Sequence, residues 1–408
     1  MLVELIKFDR TLALIFFKNP LNLQTSSEAL PMTTVTDKYV IREMNEKLVL
    51  KTIIIEESIS RAEIAKYLNL NKTSVSSIVS DLIDKNLIFE TGSGESSGGR
   101  KPILVTFNQK AGYSLSFDIG PDYISSLLTY LDGSFVSDRY ASTSPTTDID
   151  VCGALKDAIE KYLKEVAPST YGITGICIGL HGIVNEGVLA FSPFYTLDCS
   201  KIKAEIESTF NIPVIIENEA NLAALGEQKL ESAALNLVSL SVKYGIGAGI
   251  ILNGELYTGT DGHAGEVGHL ITAMNGRQCP CGNHGCLEQY ASEYHILQAY
   301  KEYANLEHVN FMRFKQDYLA SKPMAQNVMS QFIQYMVIAV NNLITTFNPE
   351  IIIINSRITN QVEGIVDHIK EQLLYKGQGQ IMIKASTLDR QATLLGGAHL
   401  NNLKFLGV

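Results

Sequence analysis

Apolar residues fall at helical spacing from Val40 to Ile88, and the breaks between the runs divide this stretch into three helices. Leu48, Leu50, Ile53 and Ile54 mark the inner face of the first. The second, ISRAEIAKYL, opens with Ser60 and Glu63 at the S-x-x-E spacing of a capping box. Asn71 is the expected cap of the third, where Val75, Ile78, Val79, Leu82 and Ile83 recur at i, i+3, i+4, i+7 and i+8. That register turns Lys72, Thr73, Ser74, Ser76, Ser77 and Ser80 outward. A short helix, a tight turn and a second helix with a small polar outer face suits a helix-turn-helix entering a major groove, although an ordinary helical hairpin shares the pattern. The next stretch, LIFETGSGESSGGRKPILVTFN, reads as strand, Gly/Ser tip and strand, with Arg100 and Lys101 at the base of the tip. Two strands with a basic loop make a wing that can reach phosphate or minor groove; a plain linker is the alternative for the loop alone.

Beyond residue 110 the pattern changes to apolar strands separated by amphipathic helices. GYSLSFDIGPDYISSLLTYLDGSFVSD and LVSLSVKYGIGAGIILNGELYTG each read as strand, turn, strand, and each is followed by helices alternating with apolar strands such as GITGICIGL, IPVIIEN and EIIIIN. Two such halves predict an α/β body of two lobes with a cleft between them. The expected division is an N-terminal extension over 1–35, a winged helix-turn-helix over 36–108, a first lobe over 111–230 and a second over 231–408. The extension ends in the polar stretch QTSSEALP and leaves Met1 and Met32 both open as the start. The helical stretches Tyr294 to Tyr318 and Pro323 to Phe347 are candidates for a dimer surface or for the core.

Charge separates the same parts. Residues 32–110 carry eleven Lys and Arg against ten Asp and Glu, whereas 111–408 carry nineteen against thirty. A nearly neutral head on an acidic body allows nucleic-acid binding by the head alone. With 46% hydrophobic and 19% charged residues over 408 positions, the composition is that of a globular protein with a sizeable core. No apolar run reaches the roughly 18 residues of a membrane span, and Leu12 to Phe17 lacks the flanks of a signal peptide, so a cytoplasmic protein is expected.

The densest chemistry lies in GHAGEVGHLITAMNGRQCPCGNHGCLEQY, Gly262 to Tyr290. Cys279, Cys281 and Cys286 form a C-x-C-x4-C cluster with His269 ten residues before it, a closed donor set suited to structural zinc. One disulfide with a spare thiol is the competing reading, but the two Cys of a C-x-C pair do not easily bridge each other. Cys152, Cys177 and Cys199 stand singly in apolar or mixed contexts and read as core.

The winged helices, the DIG turn, YGIGAGI, GTDGHAGEVGH and CPCGNHGCLE, occurring in that order, resemble the ROK family of repressors and sugar kinases, and within it the sugar-responsive transcriptional regulators. The resemblance runs from about Lys38 to Ala398. It implies an actin-like (ribonuclease H-like) sugar-kinase fold with a structural zinc knuckle and a sugar site in the cleft. Sugar contacts then fall on Asn218, Glu219, Glu266, His269 and Glu288, with zinc on His269, Cys279, Cys281 and Cys286. Phosphate turns fall on Asp118, Gly120, Gly245 and Gly247, and the general-base position on Glu219.

The phosphate side departs from the kinase pattern. Pro121 has no N–H to offer, Asp122 puts negative charge where phosphate would lie, Tyr244 replaces a small Thr, Asn355-Ser356 replaces a Gly pair, and Glu219 stands where kinases carry Asp. His181 stands where many members have Pro, with a ligand contact and a structural role both open. The expectation is therefore a zinc-containing, sugar-responsive DNA-binding regulator acting as a homodimer or dimer of dimers on double-stranded operator DNA. It has lost phosphoryl transfer and has no membrane partner. An active ATP-dependent hexose or N-acetylhexosamine kinase with an appended DNA-binding head is the alternative.

Overall fold

The computed structural model describes residues 38–93, 101–143, 147–231, 233–373 and 381–408. The chain opens with helix α1 (Lys38–Glu56), strand β1 (Ile59–Ser60), α2 (Arg61–Tyr67) and α3 (Lys72–Asp84). Ser60 caps α2 by accepting from the Glu63 amide at 3.3 Å, while the Glu63 carboxylate accepts from the Ser60 amide at 2.9 Å, so each residue satisfies an end of the other. Asn71 caps α3 by accepting from the Ser74 amide at 2.7 Å. Val75, Ile78, Val79 and Leu82 are buried against Val49, Leu50, Ile53 and Ile54 of α1. Strands β2 (Ile88–Ser93) and β3 (Ile103–Phe107) pair antiparallel, and β1 adds to the far side of β3. The tip between β2 and β3, with Arg100, and the extension over 1–35 lie outside the described residues.

The body holds two five-stranded mixed sheets of the same topology. The first contains β4 (Tyr113–Ile119), β5 (Tyr123–Tyr130), β6 (Phe135–Ser142), β7 (Ile173–Leu180) and β10 (Val214–Asn218), in the order β10-β7-β4-β5-β6. Helices α4 (Asp148–Glu165) and α5 (Cys199–Phe210) accompany it, with a small hairpin of β8 (Ile183–Asn185) and β9 (Val188–Phe191). Helix α6 (Glu219–Leu230) follows β10 directly. The second sheet contains β11 (Leu237–Val242), β12 (Ile246–Leu252), β13 (Glu255–Leu256), β14 (Ile351–Asn355) and β15 (Met382–Ala385), in the order β13-β12-β11-β14-β15. Its helices are α7 (Glu288–Ala291), α8 (Glu293–Tyr303), α9 (Phe311–Leu319), α10 (Pro323–Phe347), α11 (Arg357–Gln361), α12 (Ile365–Gln372) and α13 (Gln391–Leu406). The apolar runs GITGICIGL and EIIIIN become β7 and β14, parallel strands buried along their whole length, which is why neither alternates polar and apolar.

Glycines let the lobes meet. A Cβ on Gly226 of α6 would lie 2.1 Å from the Ala392 carbonyl oxygen, and one on Gly396 of α13 would lie 1.8 Å from the Leu222 oxygen, so the two helices cross at backbone contact. Chain order places α13 after the second sheet, yet the helix packs against the first. Asn401 donates to Ser114 Oγ, to the Leu115 oxygen and to the Gly175 oxygen at 3.0–3.2 Å, all on the first sheet. Leu406, near its end, joins the core of the N-terminal helices. A returning helix leaves no mark in local periodicity.

The helices offered as a dimer surface turn much of their apolar faces inward. Val328, Phe332, Met336, Val340 and Leu343 of α10 are core, with Phe311 and Phe314 of α9.

Glu227, 1% exposed on α6, accepts a hydrogen bond from Ser386. Burial pushes its carboxyl up to about 7, with Glu231 acting in the same direction and Ser386 and Lys384 opposing. A folded pKa above the ordinary 4.5 means that the fold retains the proton. The stability this brings is complete below about pH 4.5 and is lost as pH rises through about 7. Glu227→Gln keeps an acceptor for Ser386 and removes the titration. Its stability relative to the parent is expected to rise by about 2–3 kcal/mol between pH 5 and pH 8. Urea unfolding of both proteins at the two pH values checks this.

Candidate functional site

The cysteine segment folds back on itself through bridges between Ile271 and Cys286 and between Gln278 and His284. Gly282 and Gly285 take positive φ values of 96° and 82°, and a Cβ on Gly285 would lie 1.8 Å from the Ala273 oxygen. The fold-back brings His269, Cys279, Cys281 and Cys286 together, with one ligand atom from each all within 4.8 Å of one another. His269 Nδ1 is 3.6 Å from Cys279 Sγ, and the Cys281 and Cys286 sulfurs are 3.7 Å apart. A tetrahedral ion with bonds of about 2.3 Å has edges of about 3.8 Å, so the donor set fits zinc in both chemistry and spacing. All six thiols are free, and Cys152, Cys177 and Cys199 are buried apart from this cluster.

Ligation through Nδ1 leaves His269 Nε2 directed elsewhere, 3.7 Å from Glu266 Oε2. Glu288 Oε1 lies 3.8 Å from His269 Nδ1 and accepts from the Cys279 thiol at 3.1 Å. Metal binding would remove that thiol proton and with it this bond to Glu288. Glu266 is largely buried; burial first, then Glu288 and Glu219, push its carboxyl up to about 7 against the pull of His263. Three carboxylates thus share one region with His269.

Asn218 and Glu219 reach that region from the junction of β10 and α6. Asn218 caps α6, its side-chain oxygen accepting from the Ala220 and Asn221 amides at 2.8 and 3.0 Å, while its Nδ2 donates to the Gly182 oxygen at 2.7 Å. Most of its hydrogen-bonding capacity therefore holds the junction, leaving one amide hydrogen for a ligand. Glu219 is buried, with Oε1 3.4 Å from His181 Nδ1 and with no hydrogen-bond partner for Oε2 among the described residues.

His181 ties this carboxylate to the end of β4. Asp118, 1% exposed, accepts from His181 Nε2 at 3.1 Å and from the Tyr123 hydroxyl at 2.8 Å, and Lys243 Nζ stands 3.7 Å away. Burial alone would raise the Asp118 carboxyl, but Lys243, His181 and Tyr123 hold it down at about 2. Burial likewise disfavours the Lys243 charge, yet Glu219, Asp118, Asp389 and Glu293 surround it and keep it protonated.

Sequence reading missed Lys243 and Tyr123. The available signal was a lone lysine closing the apolar run LVSLSV just before a glycine turn. The expected phosphate turns are filled by the chain's own groups. The Tyr123 ring covers Gly120, where a Cβ would lie 2.1 Å from it, and Tyr244 donates to Asp122 across the cleft. Gly245 admits the Glu288 carboxylate, 3.1 Å from where a Cβ would be, and Gly247 admits Ala220 of α6. Beside them lies a cavity of about 320 Å³, lined by Tyr140, Lys243, Tyr244, Tyr294, Arg357 and Arg390 among others.

Residues 114–403 match the model of the ROK family. The chain belongs to the ROK family. It is 35% identical over 393 residues to the xylose repressor of Bacillus spizizenii, a match covering 92% of this chain and 99% of that one. Among solved structures it is similar to a ROK family transcriptional regulator described as a homologue of the Escherichia coli MLC protein. That structure has a TM-score of 0.76 and 29% identity, and covers 90% of this chain and 97% of the other. A Streptomyces griseus ROK glucokinase, solved with glucose and AMPPNP, shares the fold at 23% identity and a TM-score of 0.65, over 71% of this chain and 99% of its own. The two α/β lobes are thus the ROK actin-like fold.

The ROK match begins after the N-terminal unit, whereas the regulator's 90% coverage reaches into it. On that unit Lys72, Thr73, Ser76 and Ser77 are exposed on one side of α3, Ser74 is half-buried, and Lys101 is exposed just before β3. Arg42 of α1 adds a cation that sequence reading missed, donating to Ser77 at 3.2 Å and pairing with Asp81. Among the described residues, no helix of this ROK protein is long and apolar enough to cross a membrane.

Proposed function

We propose that this protein is a sugar-responsive DNA-binding repressor of carbohydrate metabolism, with a pentose such as D-xylose as its effector. The carrying observation is the 35% identity to a xylose repressor across 92% of this chain and 99% of that one, whereas the ROK glucokinase match covers 71% of this chain. In this reading α1–α3 and β1–β3 are a winged helix-turn-helix. The outer face of α3, with Lys72, Thr73, Ser74, Ser76 and Ser77, enters the major groove, and Arg100 and Lys101 lie at the wing. Zinc on His269, Cys279, Cys281 and Cys286 supplies rigidity. Glu219, Glu266, Glu288, His269 Nε2 and the remaining Asn218 hydrogen take the sugar hydroxyls. A buried carboxylate oxygen without a partner, as on Glu219, favours a ligand that brings an O–H to it. The general-base position is thereby used for binding.

Two copies of the protein carry the two heads onto half-sites about 34 Å apart or a multiple of that distance. Leu131 of the body and Leu406 of α13 sit in the core of the head, so movement of the lobes reorients it. The second reading is an active sugar kinase, favoured by the shared fold with the glucokinase. Against it stand Asp122 and Tyr244, which bond to each other at the expected phosphate turns.

Thermal unfolding with D-xylose, D-glucose and N-acetylglucosamine, each with and without ATP, tests the proposal. D-xylose at 100 times its Kd should add about 2.7 kcal/mol, a shift of several degrees, with no further gain from ATP. A panel with no shift for any sugar overturns the sensor reading, and steady ADP release on any of them establishes the kinase. For the head, Lys72→Ala should weaken DNA binding about equally across sequences and reduce the slope of log K against log salt by about one, measured by fluorescence anisotropy.

A further inference from the structure

The two sides of the cleft touch around the mouth of its cavity through side chains from opposite sheets. From the first-sheet side come Asp118 and Asp122, at the ends of the β4–β5 turn, Tyr140 of β6, and Phe194 in the loop after β9. From the second-sheet side come Lys243 and Tyr244, in the β11–β12 turn, and Arg390 after β15, anchored by the neighbouring Asp389 carbonyl, which accepts from Asn355 Nδ2 at 2.9 Å. Tyr244 donates its hydroxyl to the Asp122 carboxylate, and its ring meets Phe194 edge-on with centroids 6.2 Å apart. Lys243 Nζ stands 3.7 Å from Asp118, and the Arg390 guanidinium lies 4.8 Å from the centre of the Tyr140 ring. All of these contacts join the first-sheet side to the second-sheet side.

Two of the contacts differ in character. The Lys243–Asp118 pair is buried and belongs to the network that also holds His181 and Glu219. Asp122 is exposed and Tyr244 half-buried, so their bond sits at the rim, where it can break without stranding a charge in the interior. A neutral phenol donating to a carboxylate is a charge-assisted bond, stronger than one between neutral partners. Burial and then Asp122 push the Tyr244 hydroxyl well above its ordinary value, so it remains a donor across the working pH range.

We propose that Asp122 and Tyr244 form a latch that holds the two lobes together, with the Lys243–Asp118 pair as its buried anchor. The latch keeps Glu219, on the first-sheet side, facing Glu266 and Glu288, on the second. Its regulatory meaning rests on the sugar-sensor reading: a pocket kept assembled by the chain itself binds sugar without first having to close. The latch itself needs no sugar and is tested without it.

Hydrogen exchange followed by mass spectrometry on the full chain without sugar reads it directly. In the two turns the Gly120 amide donates to the Tyr123 oxygen and the Lys243 amide to the Gly245 oxygen, both at 2.9 Å, giving protected positions on either side of the cleft. Tyr244→Phe keeps the ring against Phe194 and removes only the hydroxyl, and Asp122→Ala removes the acceptor. Each should speed exchange in both turns roughly two- to tenfold, the range for losing one hydrogen bond at the solvent-exposed rim. The double variant should exchange no faster than the faster single one. Tyr294→Phe removes a hydroxyl from the same cavity wall and should leave the turns unchanged. Unchanged exchange in both single variants, or effects that multiply in the double variant, overturns the latch. Coupled exchange together with no protection by added D-xylose supports the latch and overturns the sensor reading, so the two failures are distinguishable.

Discussion

Cys281→Ser protein, purified in parallel with its parent, is expected to carry less than about a tenth of the parent's zinc and to have no measurable affinity for D-xylose. Serine is a poor zinc ligand at neutral pH, and three donors with an open position do not make a closed structural site. The consequence reaches the sugar because two of its candidate contacts are fixed by the knuckle. His269 offers Nδ1 toward the cysteines and Nε2 toward Glu266, and Glu288 follows Cys286 by two residues. Structural zinc supplies on the order of 10 kcal/mol to small units that fold around it. Here the segment also packs on the second-lobe core through Cys286 and Leu287, both fully buried, so the lobe is expected to survive with a disordered knuckle. Cys199→Ser, which alters a buried thiol of the first lobe, should keep its zinc. Metal content by mass spectrometry decides the matter, and parent-level zinc in the Cys281 variant would refute the assignment.

Gly265→Ala carries the second large effect. Gly265 has a φ of +87°, and a Cβ there would lie 1.8 Å from the Ala248 oxygen and 2.9 Å from its carbonyl carbon. Both obstacles are backbone of β12, so no side chain can swing aside, and the new residue also carries the strain of its φ. A cost of at least about 3 kcal/mol follows, a fall of roughly 5–10 °C in Tm, together with displacement of Glu266 and loss of sugar binding in whatever folds. Gly364→Ala is the control: its φ is +82° and nothing lies within 4 Å of the added carbon. That variant should lose only about 1 kcal/mol. Equal Tm values for the two would show that the Gly265 contact is not as close as stated.

Local patterns carried much of this organisation. The S-x-x-E at Ser60, the Asn71 cap and the burial of Val75, Ile78, Val79 and Leu82 all follow from spacing along one helix, and the structure places them accordingly. The gathering of His269 with Cys279, Cys281 and Cys286 was legible because three of the donors lie within eight residues and glycines permit the turn. Contacts between distant segments were not legible. Asp122 and Tyr244 each read as damage to a phosphate turn, and only the fold shows that they bond to each other. His181, equally open to either role, lies between Asp118 near the end of β4 and Glu219 at the start of α6. Asn218 read as a sugar contact because its capping of α6 and its bond to the Gly182 oxygen depend on the path of the chain.

The central claim, that sugar controls DNA binding through this body, is tested most directly by fluorescence anisotropy. The DNA is a duplex that the full-length protein has itself selected from a random-sequence pool, titrated at fixed salt with and without D-xylose. The expected result is a rise in Kd of at least tenfold at saturating D-xylose, with ATP making no difference. An unchanged Kd for that duplex across D-xylose, D-glucose and N-acetylglucosamine would contradict the account.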